Sequence, residues 1–238
     1  MNKLLTSLLT LAVASVTGLA YAQATGAAPN AAPAVAAQKA VPARGATSIE
    51  SKVAMCMGCH GIKGYQATFP EVYKVPKISG QGAKYIISAL TAYKQGDRRH
   101  PTMRGIATSL SEQDMAEVAA FYEANGKDPA DVPAAKPSQE PSAQVAPLLQ
   151  KAACVSCHGA NFAKPIDPSY PKIAGQHSDY LFVALKAYKT EHNASVGRSN
   201  GVMGAIAKQF SNNELKALAG YVGSLDGPLK TVPEARFR

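Results

Sequence analysis

The chain has 238 residues, of which 25 are Lys or Arg and 16 are Asp or Glu, giving a formal net charge of +9 at pH 7. That length accommodates about one or two domains, and a basic surplus suits nucleic acid, an anionic membrane surface or an acidic protein partner. Nucleic acid is excluded by two features together: the chain has no dense basic cluster beyond Arg98-Arg99, and its N-terminus reads as an export signal.

Residues 1–22 carry Lys3, an apolar stretch from Leu4 to Ala20, and Ala20-Tyr21-Ala22, the pattern of a cleavage site. Thr6, Ser7, Thr10, Ser15 and Thr17 interrupt the stretch, which is short for a membrane span. The expectation is cleavage before Gln23 and a periplasmic mature chain of charge +8, since Lys3 is the only charge removed. Residues 23–45 are rich in Ala, Pro and Gln with almost no large apolar side chains, and they read as a flexible spacer.

Beyond the spacer the chain repeats itself. Thr47-Ser48-Ile49-Glu50 has the capping-box pattern, Thr47 with Glu50, and predicts a helix running into Cys56-Met57-Gly58-Cys59-His60. Its counterpart is predicted to open between Ser142 and Pro147 and to continue through Leu148 and Leu149 to Cys154-Val155-Ser156-Cys157-His158. After each motif comes a loop with Gly and Pro, ending in Pro76-Lys77-Ile78-Ser79-Gly80-Gln81 or Pro171-Lys172-Ile173-Ala174-Gly175-Gln176, hexapeptides that differ at one position. A second helix pair follows, with Tyr85, Ile86, Ala89, Leu90 and Tyr93 matching Tyr180, Leu181, Ala184, Leu185 and Tyr188. A third pair opens on Ser111-Glu112-Gln113-Asp114 and Ser211-Asn212-Asn213-Glu214, the latter a full capping box. Its apolar stripes are Met115, Val118, Ala119, Tyr122 and Leu215, Leu218, Ala219, Val222. Asn125-Gly126 closes the first copy, and residues 127–143 form a linker rich in Pro and Ala. The domains are therefore expected at 46–126 and 144–238. The first holds nine basic and seven acidic residues and the second eleven and six, so the basic excess sits in the second half.

The motif Cys-x-x-Cys-His uses all four cysteines and is the attachment signature of a c-type haem. Each sulfur adds to a haem vinyl group, and the adjacent histidine offers a ring nitrogen to the iron. A zinc half-site and a thioredoxin-like dithiol share the Cys-x-x-Cys spacing. Zinc needs further ligands at short spacing, and His100, His177 and His192 form no such pair; a dithiol enzyme has no need of histidine after both pairs. Two-residue spacing is also a strained geometry for a purely structural disulfide. The expected cofactors are two covalently bound haem c groups, held by Cys56, Cys59, Cys154 and Cys157, with His60 and His158 on the irons.

A second axial ligand decides between an electron carrier and an open iron site for chemistry. Met55 and Met57 flank attachment cysteines on the histidine side, and Met115 falls on the packing stripe where the other half has Leu215. Met103, in Met103-Arg104-Gly105-Ile106-Ala107, and Met203, in Met203-Gly204-Ala205-Ile206-Ala207, are the methionines that the repeat preserves. Each follows a loop with Pro101 or Gly201, and thioether is a usual partner of histidine in cytochromes c. His100 and His192 are the rival ligands, and neither has a histidine counterpart in the other half.

These motifs, the two Cys-x-x-Cys-His sites, the two Pro-Lys-Ile-x-Gly-Gln segments and the two Met-x-x-Ile-Ala loops, resemble those of the dihaem cytochromes c4 over nearly all of the mature sequence. The resemblance implies an all-α fold of two tandem class I cytochrome c domains related by a pseudo-two-fold, each wrapped around one covalent haem c. It also implies haem edges close together, carbonyls near Pro76 and Pro171 orienting the histidines, and periplasmic electron transfer, often towards a terminal oxidase. The halves are not identical: 20 residues separate Cys56 from Pro76 and 17 separate Cys154 from Pro171, while Tyr93 precedes Met103 by 10 and Tyr188 precedes Met203 by 15. Different loops around each haem should give different potentials. Arg98 and Arg99 lie in the shorter loop, either favouring propionates or simply solvated.

The leading expectation is a non-catalytic carrier between a respiratory donor and an acceptor such as a terminal oxidase, with redox proteins as partners and peripheral membrane association as a further option. The competing readings are a cytochrome subunit of a dehydrogenase complex and a dihaem peroxidase-like enzyme. The two repeat-preserved methionines count against the peroxidase.

Overall fold

The first attachment motif forms the C-terminal end of helix α1 (Ile49–His60), capped by Ser48, whose side chain accepts the Ser51 N–H. The computed structural model describes residues 48–127 and 135–233. Thr47, the signal segment, the spacer and part of the linker lie outside the described residues, and the α1 cap is Ser48, one residue after the position expected. The longer loop of the first half folds into an antiparallel hairpin, β1 (Gln66–Ala67) with β2 (Tyr73–Lys74). Then follow α2 (Ala83–Gln95), β3 (Arg98–Arg99), α3 (Pro101–Thr108) and α4 (Glu112–Ala124). The second half runs α5 (Ala146–Ala152), α6 (Val155–His158), α7 (Ser178–Lys189), β4 (Gly197–Arg198), α8 (Gly201–Ala207) and α9 (Asn212–Ser224).

The helical expectation holds, with one difference between the copies. Whereas α1 runs unbroken through its motif, the second motif helix is interrupted one residue before Cys154. Ala153 takes the left-handed conformation, φ 48°, donates its N–H to the Gln150 carbonyl and ends α5; the chain re-enters helix as α6. Pro147 sits in the first turn of α5, as its missing N–H favours.

Both α4 and α9 open on complete capping boxes. Ser111 and Asp114 exchange bonds at 3.1 Å each, and Ser211 and Glu214 do so at 2.7 and 3.3 Å, so Asp114 serves where only glutamate was expected to. The stripes these caps orient are buried: Met115, Val118, Ala119 and Tyr122 on α4, and Leu215, Leu218, Ala219 and Val222 on α9. Helix α2 packs against α3 and α4, and α7 against α8 and α9. Lys94 Nζ closes the first half on the Leu110 carbonyl at 2.8 Å, and Lys189 Nζ closes the second on that of Phe210 at 2.7 Å. Met115 is 2% exposed and Leu215 1%, equal packing roles at equal positions. Leu215→Ala is expected to cost about 2–5 kcal/mol, because a cavity remains where the side chain was. Chemical denaturation of the holoprotein measures it, and a loss under about 1 kcal/mol would contradict this packing.

The halves join through two devices that obey a two-fold. Strands β3 and β4 pair antiparallel, Arg98 opposite Arg198 and Arg99 opposite Gly197. The two hexapeptides clamp one another: Lys77 Nζ donates to the Gly175 carbonyl and Lys172 Nζ to that of Gly80, both at 2.7 Å. The glycines of the two hexapeptides answer to backbone geometry. Gly80 and Gly175 have φ of 82° and 69°, and a Cβ on Gly80 would lie 2.5 Å from the Pro228 carbonyl oxygen.

Candidate functional site

Helix α1 carries Cys56, Cys59 and His60, and α6 carries Cys157 and His158 with Cys154 at its N-cap; all six line one cavity. His60 Nδ1 lies 2.8 Å from the Pro76 carbonyl, and His158 Nδ1 lies 2.9 Å from that of Pro171. A carbonyl oxygen can only accept, so in both rings Nδ1 carries the proton and the Nε2 lone pair is left for a metal. Burial lowers the pKa of both imidazoles, with the carbonyl working the other way, and keeps them neutral as ligation requires.

None of the four cysteines is joined in a disulfide, and all four are half-buried. Burial pushes the thiols of Cys56 and Cys154 up to about 11. That is the opposite of the lowering that activates the attacking cysteine of a dithiol enzyme. Among the described residues no three of His, Cys, Asp and Glu gather as a structural zinc ion would need.

The methionines differ from expectation in their local structure. Met103 and Met203 are each the third residue of a short helix, α3 and α8, instead of lying in loops. The sequence does carry a signal for this: Pro101 is a good first helical residue, and position 100 or 200 before it supplies the cap. His100 Nδ1 accepts the Met103 N–H at 3.3 Å, and Asn200 Oδ1 accepts the Met203 N–H at 2.9 Å. His100 therefore has a counterpart after all, in Asn200. Its other ring nitrogen lies 3.1 Å from the Tyr73 hydroxyl, so both nitrogens are engaged and the rival ligand is a helix cap. His192 is exposed.

One continuous cavity of about 920 Å³ is lined by Cys56, Cys59, His60 and Met103 from the first half and by Cys154, Cys157, His158 and Met203 from the second. Its walls are predominantly apolar, with Ile86, Leu90, Leu185 and Ile206 among them. A flat apolar macrocycle tethered by two sulfurs and ligated by a histidine fits such walls, and the donor set is complete twice.

Two guanidiniums stand where the halves meet along this cavity. Arg98 lies 5.3 Å from the Tyr85 ring centre and 5.7 Å from that of Tyr93. Arg198 repeats this at 5.5 Å from Tyr180 and 5.4 Å from Tyr188, and it donates to the Tyr180 hydroxyl at 3.0 Å. Among the described residues neither meets a carboxylate. Arg98 is thus not simply solvated, and neither is Arg99, which reaches across to the Thr190 carbonyl at 3.3 Å. Sequence reasoning does not single out Arg198, although it matches Arg98 at the same offset of 100 that relates the methionines.

The family model described as Cytochrome c matches residues 42–124 and 142–226. Cytochrome c4 of Stutzerimonas stutzeri is 30% identical over 94% of this chain and 100% of its own. A thiosulfate dehydrogenase electron acceptor of Stutzerimonas stutzeri (strain A1501) is 31% identical over 71% of this chain and 78% of its own. The solved structure of Acidithiobacillus ferrooxidans cytochrome c4 superposes with a TM-score of 0.51 at 25% identity, over 73% of this chain and 99% of its own. The cysteine pairs in two tandem matches hold two covalent haem c groups, and the chain belongs to the cytochrome c family, within it to the dihaem electron-transfer cytochromes c4.

Proposed function

We propose that this dihaem cytochrome is a periplasmic carrier and not an enzyme, passing single electrons from a respiratory donor to an acceptor such as a terminal oxidase. The observation that carries this is the single cavity lined by both attachment motifs and both repeat-preserved methionines. Haem supplies a one-electron couple at its iron. In this reading the chain's residues would do the rest: Cys56, Cys59, Cys154 and Cys157 hold the groups covalently, His60 and His158 would offer Nε2, and Met103 on α3 and Met203 on α8 would offer thioethers. The apolar walls exclude water, and Arg98 and Arg198 hold haem carboxylates. Export is supported by the A-x-A pattern at Ala20-Tyr21-Ala22, and among the described residues no helix is long and apolar enough to cross a membrane.

The test is intact-mass measurement of periplasmic material combined with a redox titration. Two haem additions, two one-electron waves and no peroxide turnover are expected; turnover of peroxide by the unsubstituted protein would replace the carrier with an enzyme.

A second reading, a carrier serving a periplasmic dehydrogenase, is favoured by the similarity to a thiosulfate dehydrogenase electron acceptor. Either way the partner meets a chain of charge +8 after export, with the surplus in the second half. Association should therefore weaken as salt rises, since charges are screened beyond about 10 Å at 0.1 M. Reduction kinetics across ionic strength check this, and flat rates would point to an apolar docking patch.

A further inference from the structure

The repeated hexapeptide engages one peptide group from both ends. The Pro76 carbonyl accepts from His60 Nδ1 at 2.8 Å, and the N–H of that same peptide group, carried by Lys77, donates to Gln176 Oε1 at 2.9 Å. In the other copy the Pro171 carbonyl accepts from His158 Nδ1 at 2.9 Å, and the Lys172 N–H donates to Gln81 Oε1 at 3.0 Å. Each glutamine belongs to the half opposite the histidine at the far end of its chain of bonds.

Neither amide has freedom to turn. Gln176 Nε2 donates to the Lys77 carbonyl at 2.9 Å while its Oε1 also accepts the His177 N–H at 3.0 Å. Gln81 Nε2 donates to the Lys172 carbonyl at 2.9 Å while its Oε1 also accepts the Gly82 N–H at 2.9 Å. Gln81 is 3% exposed and Gln176 4%, so water does not compete for these bonds.

A peptide group is conjugated from oxygen to nitrogen. A donor on its oxygen and an acceptor on its N–H shift electron density the same way, and successive bonds strengthen one another. We propose that Gln176 sets the donor strength of His60 and that Gln81 sets that of His158, so each haem potential is adjusted by a positioning residue of the other half. The inference rests on His60 and His158 being the axial ligands. A more strongly polarised carbonyl draws the Nδ1 proton further, makes the imidazole a stronger donor to ferric iron and lowers the potential. The two halves thereby set each other's potentials through hydrogen bonds in addition to through-space charge.

The crossed pattern is the test, read on the holoprotein with haem resonances assigned to each half. Gln176→Met, which leaves the Lys77 N–H without its acceptor, should raise the potential of the first haem and leave the second nearly unchanged. The one-electron equilibrium should move about threefold, or about 30 mV at 59 mV per tenfold. Gln81→Met should do the reverse. The His60 Nδ1 proton resonance should move in Gln176→Met while that of His158 stays. A shift confined to the variant's own half, or equal in both, overturns the proposal. Should Gln176→Met not assemble with two haems, Gln176→Glu keeps an acceptor for Lys77, and it should lower the first potential more than the second; an equal fall overturns the proposal as well. Paramagnetic resonance of the unsubstituted protein separates the two levels. Without a low-spin histidine signature the ligand reading fails and takes this inference with it, whereas that signature with uncrossed shifts defeats the glutamine assignment alone.

Discussion

Met103→Ala and Met203→Ala are each expected to lower the potential of one haem only, to remove about half of the methionine-to-iron charge-transfer absorbance, and to admit carbon monoxide at that haem. The half follows from one of two equivalent ligands being lost. A neutral, polarizable thioether stabilises ferrous relative to ferric iron, and it occupies the position where a small ligand would bind. Both methionines line the cavity that holds the attachment motifs, and both are fixed at the third position of a helix by a cap on their own N–H. Loss of the thioether should therefore open a site without unfolding the helix that carried it. Redox titration and carbon monoxide difference spectra make the measurement. If the unsubstituted protein binds carbon monoxide at one haem, or if either variant leaves the charge-transfer band intact, the ligand assignment is wrong.

The tandem repeat makes most of this arrangement legible in the amino-acid sequence. Four cysteines in two identical patterns name a covalent haem chemistry, because short spacing plus an adjacent histidine is a local, sequence-encoded geometry. The amphipathic stripes of α4 and α9 are equally local, since helical period and capping pattern are both readable within a few turns. What the sequence hides is set by contacts between segments far apart in the chain. The break at Ala153 lies in a stretch whose residues suit a continuous helix, and no turn residue announces it. The hexapeptides are visible as repeats, but not as two halves of one clamp, because Lys77 and Gln176 are 99 residues apart. By residue type His100 is a candidate ligand, whereas its place in the repeat, opposite Asn200, marks it as a cap. A tandem repeat is best searched for functional equivalence by position, even where the residue types differ.

Arg98→Leu and Arg198→Leu should each lower the haem potentials by about 40–90 mV, the equivalent of one charge at about 8–16 Å in an effective dielectric of about 20. The two guanidiniums stand close across the β3–β4 pair, stacked on tyrosine rings and without a carboxylate among the described residues. Two like charges brought together at a half-buried junction are costly unless an anion joins them. Haem carboxylates are the anions the cofactor supplies, and in the proposed reading they meet this pair at the cavity wall. Removing a cation destabilises the reduced, more negative state, so the potential falls. In the same reading it would also free a carboxylate that the arginine had helped to keep ionised, so that the carboxylate would take up its proton at higher pH than before. The linkage gives a second signature with a definite sign. In the variants the potential should fall as pH rises between about 5 and 8, because the released carboxylate loses its proton and adds a negative charge near the iron. In the unsubstituted protein a carboxylate paired with the arginines would stay ionised throughout that window, and the potential should be flat. Potentiometric titration at several pH values reads both effects. A slope in the unsubstituted protein, or flat and unshifted potentials in both variants, would show that these arginines serve the interface alone.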